Sequence, residues 1–575
     1  MTKITRRAAL GAAIAGAAAA CEKTAPRRTF EVAAGDADAL FAHGVASGDP
    51  AADSVVLWTR VSPSGVNALP VRWEIAQDAA FSDVAAKGEA TARLESDFTV
   101  KVVAGGLSPG TRYFYRFGVG DARSPVGRTR TLPSGAVAAA KFAVVSCSNY
   151  PFGYFNVYDL VARRDDLDAV IHLGDYIYEY GVDGYGGEAG KALGRDHAPP
   201  HEIVTLADYR TRHAQYKADP ASRAMHAAHP LIAIWDDHET ADNSFAAGAN
   251  NHDPMTEGSW EERRRNALQA YYEWMPIREP EASKPREAIF RAFTFGDLLT
   301  LTALETRLMS RAAPIEYNDV VPGLIAGGPE AVAKFRDETL WGKSRELLGR
   351  AQTKFVYETL KASAARGEPW RLIANQVIMA KVTAPNLEPR LTEEDIVELE
   401  RQWDQARSFV KFSTLGLPTN LDAWDGYPAA RERFYRAARE AKADGLVVVT
   451  GDTHTWWANN LVAKDGAPMG VELGAHSVTS PSPYRKEFLG GKGAEYALLT
   501  GQVNEDVRYI SGEDHGYIAL DVGRDEIRAA FMAVDTIEAT SYTAFEKAAF
   551  TIRRSGGAAQ FVDVDGLSLA ERAVF

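Results

Sequence analysis

Four clusters of polar residues in this 575-residue chain contain side chains of the types that commonly bind metal ions in proteins. A thiol, phenols, imidazoles and several carboxylates stand at residues 146–150, 174–179, 236–239 and 451–454, each directly after an apolar run. Taken singly, an aspartate after a strand is most often an N-cap, and a buried cysteine most often a small apolar residue. Because all four clusters directly follow an apolar run, they instead favour one shared site. Because carboxylates gathered in one cleft repel one another unless cations hold them, the pattern predicts a polynuclear metal site.

Buried strands would bring these clusters together. Continuous apolar runs predict strands that are covered on both faces, at residues 141–146, 169–173, 231–235, 298–301, 370–374 and 446–450. Amphipathic, charge-rich stretches predict helices over residues 261–274, 343–358, 393–410 and 429–443. Ligands bind beyond the carboxyl ends of parallel strands, so a layered α/β core would collect the four clusters at one edge.

Residues 30–135 have a different pattern, with short apolar runs separated by turn residues. Runs at 54–61, 71–75 and 111–119 predict an antiparallel β-sandwich. Residues 107–115 are similar to the late-strand signature of fibronectin type III domains, in which a tyrosine hydroxyl binds backbone upstream. This resemblance implies a sandwich of the fibronectin type III or immunoglobulin-like kind. The turn-forming residues 132–135 predict a domain boundary.

The composition excludes several classes of protein. With only two cysteines, Cys21 and Cys147, the chain is not a disulfide-stapled scaffold. The net charge of −13 argues against a surface that binds nucleic acid, although it does not exclude a small anionic substrate.

The amino terminus resembles a twin-arginine export signal, because Arg6 and Arg7 precede a mild apolar stretch that is rich in alanine and glycine. Cys21 follows three alanines in a lipobox-like position, but Ala18 replaces the usual leucine, so lipidation is left open. We therefore expect a periplasmic or extracellular protein with a soluble mature body, carried by the twin-arginine translocase, with a lipid anchor at Cys21 as an open alternative.

Several strings resemble known families. The motif Gly174-Asp-x-x-Tyr178, together with residues 237–239 and 451–454, resembles the calcineurin-like metallophosphoesterases, and its GDxxY form is typical of purple acid phosphatases. Residues 41–50, 172–180, 235–239, 425–428 and 451–457 resemble the PhoD-type alkaline phosphatases, which include related phosphodiesterases and phospholipase D enzymes. This resemblance runs from about residue 41 to about residue 536.

The resemblance implies two kinds of metal. It assigns a ferric ion to Cys147, Asp175, Tyr178 and His454. Phenolate and thiolate are anionic donors that favour a trivalent ion. It assigns one or two calcium ions to a set bridged by Asp175 and completed by Asp237 and Asp452, and an oxygen-rich set of that kind suits a hard cation. Asp236 either replaces or joins Asp237.

The predicted reaction is the hydrolysis of a phosphate ester. Metal ions polarise the phosphoryl oxygens, and a metal-bound hydroxide attacks phosphorus in line. His238 is a candidate to protonate the leaving alkoxide, or else to orient Asp237 or the phosphate. Arg307 is a candidate for a bidentate phosphate contact, with a salt bridge to Glu305 or a nearby acid as the alternative. Asn149 is a weaker candidate for a phosphate or metal contact.

The sequence therefore predicts a multi-domain β plus α/β fold in which a β-sandwich precedes a layered α/β metallophosphoesterase domain. The predicted division is a signal and linker at 1–29, the sandwich at 30–135, the catalytic domain at 138–545 and a carboxyl-terminal extension at 546–575. The predicted function is that of an exported alkaline phosphatase for small phosphate monoesters, with diesters left open.

Two alternative functions are weighed against this one. A phosphodiesterase or phospholipase D could use the same metals, and a surface adhesion protein could hold structural metals. We expect a monomer with no nucleic-acid partner, although nucleotides or other phosphodiesters could be substrates.

Overall fold

The computed structural model describes residues 37–63, 65–403 and 405–562. The predicted signal and Cys21 lie outside these residues. The strands are β1 (Val45–Gly48), β2 (Ser54–Arg60), β3 (Ala68–Ala76), β4 (Val84–Arg93), β5 (Thr99–Gly105), β6 (Arg112–Val119), β7 (Ala122–Arg123), β8 (Gly127–Arg130), β9 (Ala139–Val145), β10 (Ala169–His172), β11 (Pro230–Ala233), β12 (Arg291–Phe295), β13 (Leu299–Ala303), β14 (Trp370–Ala374), β15 (Leu446–Thr450), β16 (Trp456–Val462), β17 (Pro468–Gly474), β18 (Val507–Ser511), β19 (Gly516–Gly523), β20 (Glu526–Val534), β21 (Ala544–Ser555) and β22 (Ala558–Phe561).

The helices lie between and around these strands. They are α1 (Ala37–Leu40), α2 (Asn156–Ala162), α3 (Gly187–Leu193), α4 (Leu206–Ala218), α5 (Pro220–Ala228), α6 (Trp260–Trp274), α7 (Tyr317–Lys334), α8 (Gly349–Ala365), α9 (Glu393–Gln402), α10 (Ala406–Ser413), α11 (Pro428–Glu440), α12 (Phe488–Gly491) and α13 (Gly493–Val503).

Two large sheets carry the strands that precede the polar clusters. A ten-stranded sheet has the order β22-β21-β20-β19-β9-β10-β11-β1-β2-β5, in which β9, β10, β11 and β1 run parallel. A seven-stranded sheet has the order β12-β13-β14-β15-β17-β16-β18, in which β13, β14, β15 and β17 run parallel. All six strands predicted from apolar runs are present, and the predicted α/β class is confirmed.

The main hydrophobic core lies between the two large sheets. Val144 and Ile171 of the ten-stranded sheet share this core with Leu301, Leu372 and Val449 of the seven-stranded sheet. Burial of both faces explains the continuous apolar runs in the sequence. Helices cover the outer faces: residues of α2, α4, α5 and α6 pack on the first sheet, and residues of α8, α11 and α13 pack on the second.

The strands of residues 45–130 form two packed layers. Val55 and Leu57 of β2 share a core with Val71 and Ile75 of β3, which belongs to a smaller sheet of order β4-β3-β6-β7 with β8 beside β6. At its corner, the Tyr113 hydroxyl accepts a hydrogen bond of 2.9 Å from the Ser108 backbone N–H.

The layer formed by β1, β2 and β5 is not part of a free-standing sandwich. Strand β1 pairs in parallel with β11, so β1, β2 and β5 form one end of the ten-stranded sheet. A fibronectin-like topology for this region stays a prediction.

The carboxyl-terminal boundary also differs from the predicted one. Strand β21 begins at Ala544 and pairs with β20 over most of its length, and β22 pairs with β21. Residues 546–561 are therefore part of the ten-stranded sheet rather than an extension beyond it. Long-range pairing of this kind leaves no local signal in the sequence.

Three predicted helices are present with shifted ends, and one is divided. Residues 393–410 form α9 and α10, because the backbone becomes extended at Trp403, whose ring lies 5.3 Å from Phe409 and 6.3 Å from Phe488. In the described part of the chain, none of the helices combines the length and apolar character needed to cross a bilayer.

Gly174 allows the ends of β10 and β11 to lie close together. Its φ is +111°, and a Cβ there would lie 2.4 Å from the backbone nitrogen of Asp236 and 2.5 Å from the Cβ of Asp236. Only glycine combines this backbone conformation with so close an approach. The two aspartates that follow these strands are brought together by that contact.

We predict that Gly174→Ala lowers the free energy of unfolding by about 2–5 kcal/mol, from backbone strain and overpacking together. Gly194→Ala is the matched control, because Gly194 has a φ of +66° but nothing within 4 Å of an added Cβ. The control should lose only about 1–2 kcal/mol, from strain alone. Equal losses in the two variants, measured by denaturant unfolding, would show that the close approach is unimportant.

Candidate metal centre

The predicted polar clusters lie at the carboxyl ends of parallel strands, as expected. Cys147 follows β9, Asp175 follows β10, and Asp452 and His454 follow β15. All four have a left-handed backbone, with φ between 51° and 63°. Residues other than glycine adopt this conformation at an energetic cost, and such residues concentrate at functional sites.

The first group of side chains converges on one point. Ligand atoms of Cys147, Asp175 and His454 all lie within 4.8 Å of one another. The Tyr178 hydroxyl is 3.1 Å from Asp175 Oδ2 and 3.3 Å from His454 Nε2. It also accepts a hydrogen bond of 2.8 Å from Ser480 Oγ. The structure thus assembles the four residues that the family resemblance assigns to iron.

A second group lies beside the first. Carboxylate oxygens of Asp236, Asp237 and Asp452 lie within 4.8 Å of one another. Asp237 also belongs to a group with Asp175 and His238, so the two sites are continuous. Asp236 and Asp237 therefore belong to the same group of carboxylates, and which of them ligates a metal stays open.

The donor atoms fit bound cations. Asp175 Oδ1, Asp236 Oδ2 and Asp237 Oδ1 are buried carboxylate oxygens without a hydrogen-bond partner among the described residues. Asp237 Oδ1 lies 3.4 Å from the Arg307 guanidinium, which is an ion pair rather than a hydrogen bond. Because buried oxygens without hydrogen bonds are costly, these three oxygens are suited to a bound cation. Burial lowers the pKa of His454 to about 3, which keeps its imidazole neutral and able to act as a ligand.

A bound cation would change the ionisation of the Cys147 thiol and of the Asp175 carboxyl group. Burial, with the neighbouring carboxylates, raises the pKa of Cys147 and of Asp175 well above their usual values. A bound metal reverses this preference, because the ion stabilises the thiolate and the carboxylate directly. The ionisation of Cys147 and Asp175 would therefore be coupled to metal binding.

Arg307 follows β13 and lies among the acids of the second group. Its guanidinium donates to Asp236, to Asp422 at 2.7 Å and to Asp452 at 2.9 Å, and the side chain is fully buried. Burial, although partly opposed by Arg307, raises the pKa of Asp236 to about 6. Of the alternatives for Arg307, the structure shows salt bridges to nearby acids, and a phosphate contact stays a prediction.

His238 is held against the first group. Its Nδ1 lies 2.7 Å from Glu179 Oε2, and its ring stacks on Tyr178 with centroids 4.2 Å apart. Although burial opposes protonation, the carboxylates of Asp237 and Glu179 raise the pKa of His238 well above its usual value. This shift favours the protonated form of His238, and its role as a proton donor stays a prediction.

Asn149 stands two residues after Cys147, at the end of the same strand. It is fully buried, and neither atom of its side-chain amide has a hydrogen-bond partner among the described residues. This leaves the amide available to a ligand, but a contact with metal or phosphate stays a prediction.

Two buried glutamates were not assigned a role from the sequence. Glu239 accepts hydrogen bonds from the backbone N–H groups of Asp175 at 3.0 Å, Tyr176 at 2.7 Å and Asp236 at 2.8 Å. Glu305 accepts from the backbone of Arg307 at 2.8 Å and of two following residues. These carboxylates hold the turns that carry the metal-binding side chains and the arginine.

The sequence contained only a partial signal for this role. Glu239 lies in the cluster at 236–239, and Glu305 lies directly after β13. That each carboxylate turns back onto backbone N–H groups depends on loops that meet only in the folded chain. Asp422, which pairs with Arg307 and Arg311, stands in a long loop with no motif to distinguish it.

We predict that Glu239→Gln lowers the free energy of unfolding by about 1–3 kcal/mol. The amide nitrogen of glutamine must face at least one backbone N–H, which leaves a buried donor unpaired. The matched control is Glu338→Gln at an exposed position, which should change stability by less than about 0.5 kcal/mol. Indistinguishable unfolding curves for the two variants would contradict the positioning role of Glu239.

Comparisons with known proteins agree with this geometry. Residues 142–531 match the family described as PhoD-like phosphatase, and residues 23–133 match the PhoD-like phosphatase N-terminal domain. Alkaline phosphatase D of Bacillus subtilis (strain 168) is 34% identical in an alignment 531 residues long that covers 89% of this chain and 81% of that protein. A solved structure described as "Structure of PhoD" matches with a TM-score of 0.72 and 30% identity, covering 92% of this chain and 93% of the other.

The resemblance predicted from the motifs is confirmed, and so is the prediction of an enzyme. The alternative of a non-enzymatic adhesion protein is not retained, because the phosphatase match covers the strands and loops that build the metal centre. This chain belongs to the PhoD-like phosphatase family.

Proposed function

We propose that this phosphatase hydrolyses small phosphate monoesters at the metal centre described above. The observation that carries the proposal is the convergence of Cys147, Asp175, Tyr178 and His454 on one point, directly beside a second, all-carboxylate group. The name of the Bacillus subtilis relative, alkaline phosphatase D, supports a phosphate ester as substrate.

The donor chemistry supports two different metals. Thiolate and phenolate ligands favour a trivalent ion, so we assign Fe³⁺ to the four residues of the first group. The carboxylates of Asp236, Asp237 and Asp452 suit a hard cation, so we assign one or two Ca²⁺ ions to the second group, with Asp175 shared. When bound, these ions supply Lewis acidity toward the phosphoryl oxygens and toward water.

The protein groups around the metal ligands orient the ligands and handle protons. Ser480 donates to the Tyr178 oxygen and so fixes the phenol beside Asp175. His238 would donate a proton to the leaving alkoxide; the support is that Glu179 holds its Nδ1 and that its ring stacks on Tyr178. Glu179 is fixed in turn by the backbone N–H of Asp242 at 2.7 Å.

Arg307 has a charge-balancing role in this proposal. One guanidinium faces Asp236, Asp237, Asp422 and Asp452, so it offsets only part of their negative charge. Because it is fully buried and bound to several carboxylates at once, it fixes their positions around the cation site.

We further propose that the chain is exported. The support is the pair Arg6 and Arg7 ahead of an apolar alanine-rich stretch, which lies outside the described residues. A folded precursor suits this route, since metals can be bound before transport. The open alternative of a lipid anchor at Cys21 belongs to the same proposal, as does a monomeric state.

We predict that Asp175→Asn reduces phosphate release from a monoester at least a hundredfold, because loss of a partner beyond the metal ligands already costs about 10–100-fold. Elemental analysis of the same preparation should show lower metal content. Asp183→Asn is the matched control, since the exposed Asp183 contacts Lys191 at the surface. A folded Asp175→Asn variant with wild-type turnover and metal content would overturn the proposed site.

A further inference from the structure

A large cavity opens directly beside the metal centre. Its volume is about 540 Å³, within the range of pockets that bind small molecules. Asp452, Thr453 and His454 contribute to its wall, so the two metal-ligand groups and the cavity share one boundary. A phosphoryl group held at the metal ligands would therefore have its ester substituent at the mouth of this cavity.

The opposite walls are aromatic. Tyr484 and Tyr496 stack with centroids 5.1 Å apart and planes 12° apart, and Trp457 meets Tyr484 edge to face at 5.6 Å. Phe409 and Phe488 each lie about 6 Å from Tyr496 and complete the surface. Because these rings pack on one another, the pocket is preformed rather than created by a ligand.

The wall is joined firmly to the loop that carries the metal ligands. Trp457 Nε1 donates a hydrogen bond of 3.0 Å to Thr453 Oγ1, between Asp452 and His454. This one hydrogen bond fixes the position of the aromatic surface relative to the metal centre. An apolar group that packs on these rings would therefore keep a fixed distance from a phosphoryl group bound at the metals.

The charges in the wall do not favour a cationic or anionic occupant. Asp425 pairs with Arg431 at 2.6 Å and accepts from the Val382 backbone at 2.8 Å, so its charge is already matched. Arg485 alone adds a fixed positive charge among the described residues that line the cavity, and it lies at an exposed position. The rest of the lining is mainly apolar and aromatic, with Thr419 and Asn420 as uncharged polar residues.

We propose that this pocket binds an uncharged alkyl substituent of the phosphate ester and makes the enzyme selective for esters of apolar alcohols. The inference rests on the proposed function, since it requires phosphate at the metal centre. It goes beyond that function by assigning the aromatic wall a role in choosing among phosphate esters. Inorganic phosphate or a methyl ester would leave the pocket unfilled.

The test compares methyl, butyl, hexyl and octyl phosphate as substrates, with the matching alkylphosphonates as competitive inhibitors. Each buried methylene should raise kcat/KM, and lower the inhibition constant, about two- to fourfold. 6-Aminohexylphosphonate is the ligand control: its terminal ammonium should cancel most of the gain seen with hexylphosphonate, because a charge is costly to bury on an apolar wall.

Phe488→Ala should reduce the ratio of octyl to methyl kcat/KM at least threefold, because it removes one face of the pocket. Phe355→Ala is the matched control: Phe355 is a half-buried phenylalanine that packs on the same side of the second sheet but faces Phe290 at 5.0 Å. The control should keep the wild-type ratio. If Phe488→Ala does not fold, the phosphonate series on the wild-type enzyme gives the same answer.

The outcomes separate this inference from the proposed function. Turnover of methyl phosphate that requires Asp175, with no dependence on chain length, would overturn the alkyl pocket and leave the metal site intact. A preference for a nucleoside monophosphate over octyl phosphate would also overturn it. Loss of chain-length dependence in Phe355→Ala to the same extent as in Phe488→Ala would show that the effect is not local.

Discussion

Repulsion among buried carboxylates is the constraint on which the rest of this structure depends. Asp175, Asp236, Asp237 and Asp452 are brought together at the carboxyl ends of parallel strands, and three of them have an oxygen without a hydrogen bond among the described residues. Arg307 offsets part of this charge but not all of it. Such a cluster requires either further positive charge or protonation of some of its carboxyl groups, and its geometry suits bound cations.

The fold meets this constraint with rigid elements. The turns after β9, β10 and β15 adopt left-handed conformations, and Glu239 holds two of the acidic turns through their backbone N–H groups. Parallel strands buried between two helical layers supply the fixed ends from which these turns project. The strain of the site is thus offset by the packing of the core, as is usual for functional sites.

Local patterns in the sequence predicted the parts of the molecule that local patterns determine. Apolar runs identified the strands, and the polar residues after them indicated a shared metal site. The family resemblance, rather than the local pattern, implied that Cys147, Asp175, Tyr178 and His454 form one group. Pairings between distant segments were not predictable: β1 joins β11, and β21 continues the central sheet. The same holds for Arg307, whose partners come from three separate loops.

The central claim is that the first group binds a ferric ion through the Tyr178 phenolate. The most direct measurement is the visible absorption spectrum of the purified protein, with its iron content, compared between wild type, Tyr178→Phe and Tyr180→Phe. Tyr180 is the control, because its ring also lies near His238, at 5.5 Å, but the family resemblance does not assign it to iron. The account predicts a charge-transfer band in the wild type and in Tyr180→Phe that is absent in Tyr178→Phe. An iron-free active enzyme, or a band that persists in Tyr178→Phe, would contradict it.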